Sequence, residues 1–298
     1  MLKVIEVITK TNRELSEVQT ENEAPIVRRP LSPTLVLPDH LNVVAVGFDR
    51  EGTELVSLST ENDVAVRAWE ADITLRAWDP DRKKPKREVK LDTDKHGNIF
   101  LQDQPMLSGD RQHVIAIFDR QVTIWDAKSG KLVKTLGPPP EMQNSLLRCL
   151  AVTPDLALVA CGRSPGFSGI DVADADAIIW DVAACRMLRT VSHPNALQIQ
   201  SVALSPNGKF LATGGQEAGL CLWDIASGKL LYQLPNDNAG KQHPNPEVTA
   251  VGANQVLSLR FSPDGQQLAL GDMLGVKMLE ASTGKLEETR ETIFRVID

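Results

Sequence analysis

From about residue 200 onward the chain repeats one polarity pattern. VALSPNGKFLATGG (202–215) and LRFSPDGQQLALGD (259–272) each run an alternating apolar stretch into a Ser-Pro-polar-Gly turn and out along a second one. Alternation with period two sends successive side chains to opposite faces, so each segment predicts two antiparallel strands joined by a tight turn. LAVTPDLALVACG (150–162) and VAVGFDREGTELVSLS (44–59) follow the same scheme, and PMLSGDRQHVIAIF (105–118) follows it in degraded form. A second hairpin comes after these. IWDAKSGKLVKTL (124–136), IWDVAACRMLRTV (179–191) and LWDIASGKLLYQL (222–234) predict strand, turn, strand, and MLEASTGKLEETR (278–290) is a copy with Leu279 and Glu280 in place of Trp and Asp. In three of these four a glycine (Gly130, Gly228, Gly284) stands five residues after the Trp position, where a short loop needs φ > 0.

All five tryptophans (Trp69, Trp78, Trp125, Trp180, Trp223) precede an acidic residue. Two hairpins per unit give four short strands, and units of roughly 43 to 57 residues have the size of one propeller blade. Between 60 and 104 the spacing from the turn at Arg50 predicts Trp69 at the end of a third strand. ITLRAWD (73–79) is then the outer strand and 80–100 an insertion.

The SPNG and SPDG turns, the Ile/Leu-Trp-Asp strand ends and the SGK turns after them resemble the WD-repeat family of β-propellers, over about residues 40–290. The resemblance implies an all-β fold of four-stranded antiparallel blades, with five blades visible and a partial sixth. It implies a single propeller domain over 1–298, with 1–20 a partial terminal blade and 40–290 five repeats. Residues 2–18 can be laid over the last copy, pairing Lys3 with Lys277 and Ile5 with Leu279, and 292–297 is expected to pair with 2–8. Two outcomes stay open: a strained six-bladed ring, or an incomplete one. The family carries a Gly-His pair before the first strand of each blade. This chain has none, although His40 and His193 fall near that position. The family's His–Ser/Thr–Asp–Trp network is therefore expected to be mostly incomplete, and the blades less rigid.

Charge and composition narrow the function. Lys and Arg number 32 against 39 Asp and Glu, a net charge of −7, which argues against coating nucleic acid. No apolar run approaches the roughly 20 residues a membrane helix needs. The four cysteines have no close pair of the kind a zinc site uses. Cys149, Cys161 and Cys221 sit among Leu, Val and Ala and read as buried hydrophobes in a reducing, cytoplasmic setting, with an inter-strand disulfide left open.

No nucleophile-elbow, P-loop, zincin or dinucleotide string occurs. The five histidines lie at least 17 residues apart and are expected to be turn or capping residues. Asp92, Asp94, Gly97, Ile99 and Asp103 fall at calcium-loop spacing, but His96 takes a ligand position and no helices flank them, so a polar turn is expected. Asp171, Asp174 and Asp176 read as a solvated acidic loop. The basic run 80–90 has no aromatic residue for base stacking and reads as a solvated loop rather than a phosphate patch. No enzyme activity, metal or cofactor is expected.

In the family, loops joining blades share a face with loops joining second to third strands. The long loops here are of those classes: 137–145, 163–177 and 235–255. Met142, Arg163, Phe167 and His243 within them are the expected contacts to protein or peptide partners, since exposed aromatic, Met and Arg side chains dominate hot spots. No specific nucleic acid and no membrane is expected. The alternative is a propeller hydrolase or lactonase-like enzyme with a channel metal.

Overall fold

The computed structural model describes residues 42–48, 55–60, 73–78, 85–92, 105–118, 120–138, 146–164, 175–194, 196, 198–215, 219–235, 255–272 and 275–291. The chain divides into two units, Met1–Val36 and Leu37–Asp298, and all described residues lie in the second. They form five four-stranded antiparallel sheets, each in simple sequence order, and the described residues contain no helix. Blade 1 is β1 (Asn42–Phe48), β2 (Leu55–Thr60), β3 (Ile73–Trp78) and β4 (Pro85–Lys90). Blade 2 is β5 (Met106–Leu107), β6 (His113–Phe118), β7 (Gln121–Asp126) and β8 (Leu132–Leu136). Blade 3 is β9 (Leu146–Val152), β10 (Leu158–Ser164), β11 (Ala175–Asp181) and β12 (Arg186–His193). Blade 4 is β13 (Ile199–Leu204), β14 (Phe210–Gly215), β15 (Gly219–Asp224) and β16 (Leu230–Leu234). Blade 5 is β17 (Ser258–Phe261), β18 (Gln267–Asp272), β19 (Gly275–Glu280) and β20 (Leu286–Glu291).

Blade 1 corrects the expected register. Ile73–Trp78 is the third strand, buried at every position, and Pro85–Lys90 is the outer strand rather than part of an insertion. Trp69 lies outside the described residues. The third strand is chosen by the buried Ile73, Leu75 and Ala77 and the hydrogen-bonded Arg76 and Trp78, while the basic run supplies an edge whose Lys86, Arg87 and Lys90 are exposed. Lysine-rich edges resist pairing with other sheets, so these charges suit an outermost strand.

One turn recipe makes the first hairpin in four blades. In blade 4 the Ser205 hydroxyl donates to Asn207 Oδ1 (2.8 Å) and accepts from Phe210 N–H (2.9 Å). Asn207 Oδ1 also takes Lys209 N–H. Ser262 with Asp264, Ser108 with Asp110, and Thr153 with Asp155 make closely similar turns. The acids after Trp125, Trp180 and Trp223 do comparable work in the second hairpin. Asp126 Oδ1 accepts Ser129 N–H and O–H, Asp224 Oδ1 those of Ser227, and Asp181 Oδ1 the N–H of Ala184. In all five blades the third and fourth strands slip register beside the Trp position, between Ala77/Trp78, Ile124/Trp125, Ile179/Trp180, Leu222/Trp223 and Met278/Leu279. Such bulges bend the strand and increase its twist.

The apolar core lies between blades. Four clusters join neighbours in turn: Leu58 and Leu75 with Val114 and Trp125; Ile115 and Ile124 with Val159 and Trp180; Ala160 and Ile179 with Leu211 and Trp223; Leu220 and Leu222 with Leu268 and Leu279. In blades 2 to 5 the Trp position packs toward the preceding blade. Among the described residues no fifth cluster joins blade 5 to blade 1, and the ring is not closed. The segments 2–18 and 292–297, which bear on closure, lie outside those residues.

A polar latch accompanies each of the last three junctions. Nine residues beyond the Trp, an outer-strand side chain donates to a carbonyl in the next blade's second turn. Lys134 Nζ reaches Val182 O (2.7 Å), Arg189 Nε reaches Ile225 O (3.1 Å), and Tyr232 Oη reaches Ala281 O (3.0 Å). Glu288 holds the same register in blade 5, opposite Met278 as Tyr232 is opposite Leu222.

Candidate functional site

The polar interior is the natural place to look for chemistry, and a buried cluster of it centres on blade 4. Trp223 Nε1–H donates to Thr213 Oγ1 (2.9 Å), which shares a second hydrogen bond with His193 Nδ1 (2.8 Å). His193 ends β12 in blade 3, so the chain of bonds spans the junction. Its other ring nitrogen lies 3.6 Å from the Cys221 sulfur. His193 and Thr213 are fully buried, which makes His193 a core residue and not the capping residue expected of it. Burial pushes the Cys221 thiol up to about 12, so it stays protonated and is a poor nucleophile despite its histidine neighbour. The cluster is built to hold a tryptophan.

Other blades solve the same indole problem differently. Trp78 donates to Ser57 Oγ (2.8 Å), while Trp125 and Trp180 donate to the backbone carbonyls of Asp92 and Gly137. The side-chain network is thus extended in blade 4, reduced to one pair in blade 1, and replaced by backbone acceptors in blades 2 and 3.

Of the four expected partner contacts, Arg163 lies among the described residues, whereas Met142, Phe167 and His243 do not. Arg163 belongs to β10, and the loop between second and third strands of blade 3 runs from 165 to 174, shorter than 163–177. Its guanidinium is ion-paired with Asp176 on β11, whose other oxygen accepts the Ser192 hydroxyl (2.7 Å). Asp176 is buried, so it is not part of a solvated acidic loop; Asp171 and Asp174 lie outside the described residues. The Arg163–Asp176 pair ties together the two strands from which the loop carrying Phe167 springs.

All four cysteines are free: Cys161 and Cys221 are buried, Cys149 is half-buried and Cys185 is exposed. Among the described residues no three His, Cys, Asp or Glu side chains converge to hold a metal. Residues 93–103 of the calcium-like loop lie outside them. No described helix is long and apolar enough to cross a membrane.

Sequence patterning missed two features. The latch residues are Lys, Arg and Tyr, which share only a donor. The other is Lys277, which occupies on β19 the place that Cys221 holds on β15, two residues before the Trp position. A cation between the apolar Val276 and Met278, where blade 4 has Cys221, was the available signal.

The architecture is that of consecutive β-propeller blades with tryptophan-anchored third strands. A family model described as WD domain, G-beta repeat matches residues 185–224, the stretch that contains His193, Thr213, Cys221 and Trp223. The chain is 31% identical over 136 residues to Centriole proteome protein 16 of Chlamydomonas reinhardtii, covering 36% of this chain and 6% of that protein. It is 30% identical over 128 residues to the small ribosomal subunit protein RACK1 of Caenorhabditis elegans, covering 31% and 39%. It is 36% identical over 78 residues to the WD repeat-containing protein VIP3 of Arabidopsis thaliana, covering 22% and 24%. The matches thus span less than half the length of these relatives. The blade architecture and these matches support a WD-repeat character for the chain, carried by residues 185–224 in the family model.

Proposed function

We propose that this chain is a non-enzymatic scaffold that binds protein or peptide partners through the loop face of its blades, in the cytoplasm. One observation carries the reading: the reactive groups of the described interior are committed to structure. His193 and Thr213 seat Trp223, Asp176 holds Arg163, and burial keeps the Cys221 thiol neutral. Catalysis needs groups positioned and tuned toward a reacting centre, and these point at one another. Loops on a rigid scaffold are where recognition residues collect. Met142, Phe167 and His243 are the contacts proposed on those loops, with Arg163 bracing the one that bears Phe167. The free cysteines suit a reducing compartment. Specific nucleic-acid or membrane binding has no support in the charge balance. Affinity purification with the full chain as bait, followed by identification of bound proteins, tests the reading. A Met142→Ala/Phe167→Ala variant should recover markedly less of the specific partners than the unmodified chain. Equal recovery by both would remove these residues from the contact surface, and the absence of any specific partner would remove the platform role.

A further inference from the structure

Between blades 4 and 5 lies a partly open cleft of about 170 Å³. Its walls are Leu220, Val256, Leu270, Leu279 and the rim residue Leu286, whose side is exposed. A cavity of about 150 Å³ lined by aliphatic side chains accommodates one benzene, so this cleft fits a single large apolar side chain. At the corresponding strand position blade 4 has Cys221, blade 3 Ile178 and blade 2 Thr123, while blade 1 has Arg76, buried and ion-paired with Glu88. Blade 5 puts Lys277 there, on the cleft wall. Its ammonium meets Asp272 Oδ2 at 3.3 Å, and that carboxylate, 3% exposed, also accepts the Gly275 N–H. Asp272 takes one of three ammonium protons, and the Lys277 side chain remains 24% exposed. A cation with donors to spare beside an apolar slot is complementary to an apolar group with an anion next to it.

We infer that this cleft binds a short acidic segment of a protein partner, seating one aliphatic or aromatic side chain between Leu220 and Leu279 and directing a neighbouring Asp or Glu carboxylate to Lys277. The site rests on the platform reading above, and its own contacts are Leu220, Leu279 and Lys277 rather than Met142, Phe167 and His243. Tyr232 closes the outer-strand side of the junction through its bond to Ala281 and its ring over Gly284. The apolar slot supplies contact area, and the ammonium selects the flanking charge.

The probe is a capped peptide, acetyl-Ser-Gly-Leu-Asp-Gly-Ser-amide, titrated into the full chain and followed by amide NMR shifts. Saturable shifts at Gly219, Leu270 and Lys277 are expected. Replacing Asp by Asn in the peptide should weaken binding about tenfold, the size of one charge-assisted hydrogen bond at a part-exposed site. Replacing Leu by Ser should abolish it. Lys277→Met should match the loss from the Asn peptide, and Lys277→Arg should retain binding. The peptide changes are read on the unmodified protein, so they decide the matter even where a Lys277 variant perturbs folding. Absence of saturable shifts at the cleft, or equal binding of the Asp and Asn peptides, overturns the site. Partner recovery through the loops is measured separately, so failure here with intact recovery sinks the cleft and leaves the platform standing.

Discussion

The phenol of Tyr232, on the outer strand of blade 4, donates to the carbonyl of Ala281 in blade 5 at 3.0 Å, and its ring lies against Gly284. The ring fits because Gly284 has no side chain: a Cβ there would sit 2.7 Å from Tyr232 Cε2, at a backbone φ of +71°. Tyr232→Phe keeps the packing and deletes the donor, so it should cost about 1 kcal/mol in equilibrium unfolding. Gly284→Ala adds both left-handed strain and a clash with the ring, and should cost about 2 kcal/mol or more. A Gly284→Ala protein as stable as the unmodified one would show that the ring does not hold this junction.

Cys185 occupies in blade 3 the turn position that Gly130, Gly228 and Gly284 hold elsewhere, and it has a φ of 50°. Its side chain is exposed and makes only a weak sulfur contact to Val182 O at 3.6 Å. Cys185→Gly removes left-handed strain at little packing loss and should raise stability by about 1 kcal/mol, read as an upward shift in the urea midpoint. Leu156, with φ 55°, is a poorer target because it packs against the core between blades 2 and 3. There the lost apolar contact should offset the relief.

Thr213 stands between a buried indole N–H and a buried imidazole. Thr213→Val preserves shape and strands both, so a loss of about 2 to 3 kcal/mol is expected from denaturant unfolding. Thr213→Ser should retain most of the stability. If valine and serine behave alike, the hydrogen bonds carry nothing and the site is only packing.

The Ser129 and Ser227 hydroxyls, with the N–H groups of the same residues, hold the Asp126 and Asp224 carboxyls below the usual 3.8. A depressed folded-state pKa stabilises the protein above pH 3.8, and the benefit drains as pH falls through the lower folded value. Unfolding measured at pH 5 and pH 3 should show a decline in stability over that interval. A Ser129→Ala/Ser227→Ala variant should decline less, because its carboxylates have less to lose. An unchanged pH slope would contradict the assignment.

Thiol labelling separates the cysteines. Native protein should modify Cys185 rapidly, whereas buried Cys161 and Cys221, the latter with its thiol raised to about 12, should react only on unfolding. Rapid native labelling of Cys221 would mean that the junction between blades 3 and 4 opens readily.

The hairpins were legible because local chemistry and long-range packing ask for the same residues. Ser205, Asn207 and Gly208 make their turn among themselves, and the Trp–Asp pair divides its work between a core and a turn. Legibility failed where the signal was duplicated or chemically unlike. Trp69 and Trp78 offered two ends for one strand, and only the burial of Ile73, Leu75 and Ala77 decides between them. His193 looked displaced from a family position, yet its ring reaches Thr213 across the junction. Arg163 looked like a loop anchor because its partner Asp176 lies 13 residues away, beyond the reach of local patterning.

The donors that cross from blade to blade make the blades unequal neighbours. Each reaches forward, from an outer strand to the turn that follows, so the array has a direction. The groups also differ in breadth: Arg189 and Tyr232 lie against Gly228 and Gly284, whereas Lys134 serves the turn that carries Cys185. Set beside blade 3's turn, a guanidinium or a phenol would meet the Cβ that Gly228 and Gly284 lack. Blade 5 breaks the series of Lys134, Arg189 and Tyr232 with the acidic Glu288, so a sheet placed after it would have to bring its own donor. Shuffling the blades would therefore fail at their side chains before it failed at their backbones, because the order of assembly is inscribed in who can give a hydrogen to whom.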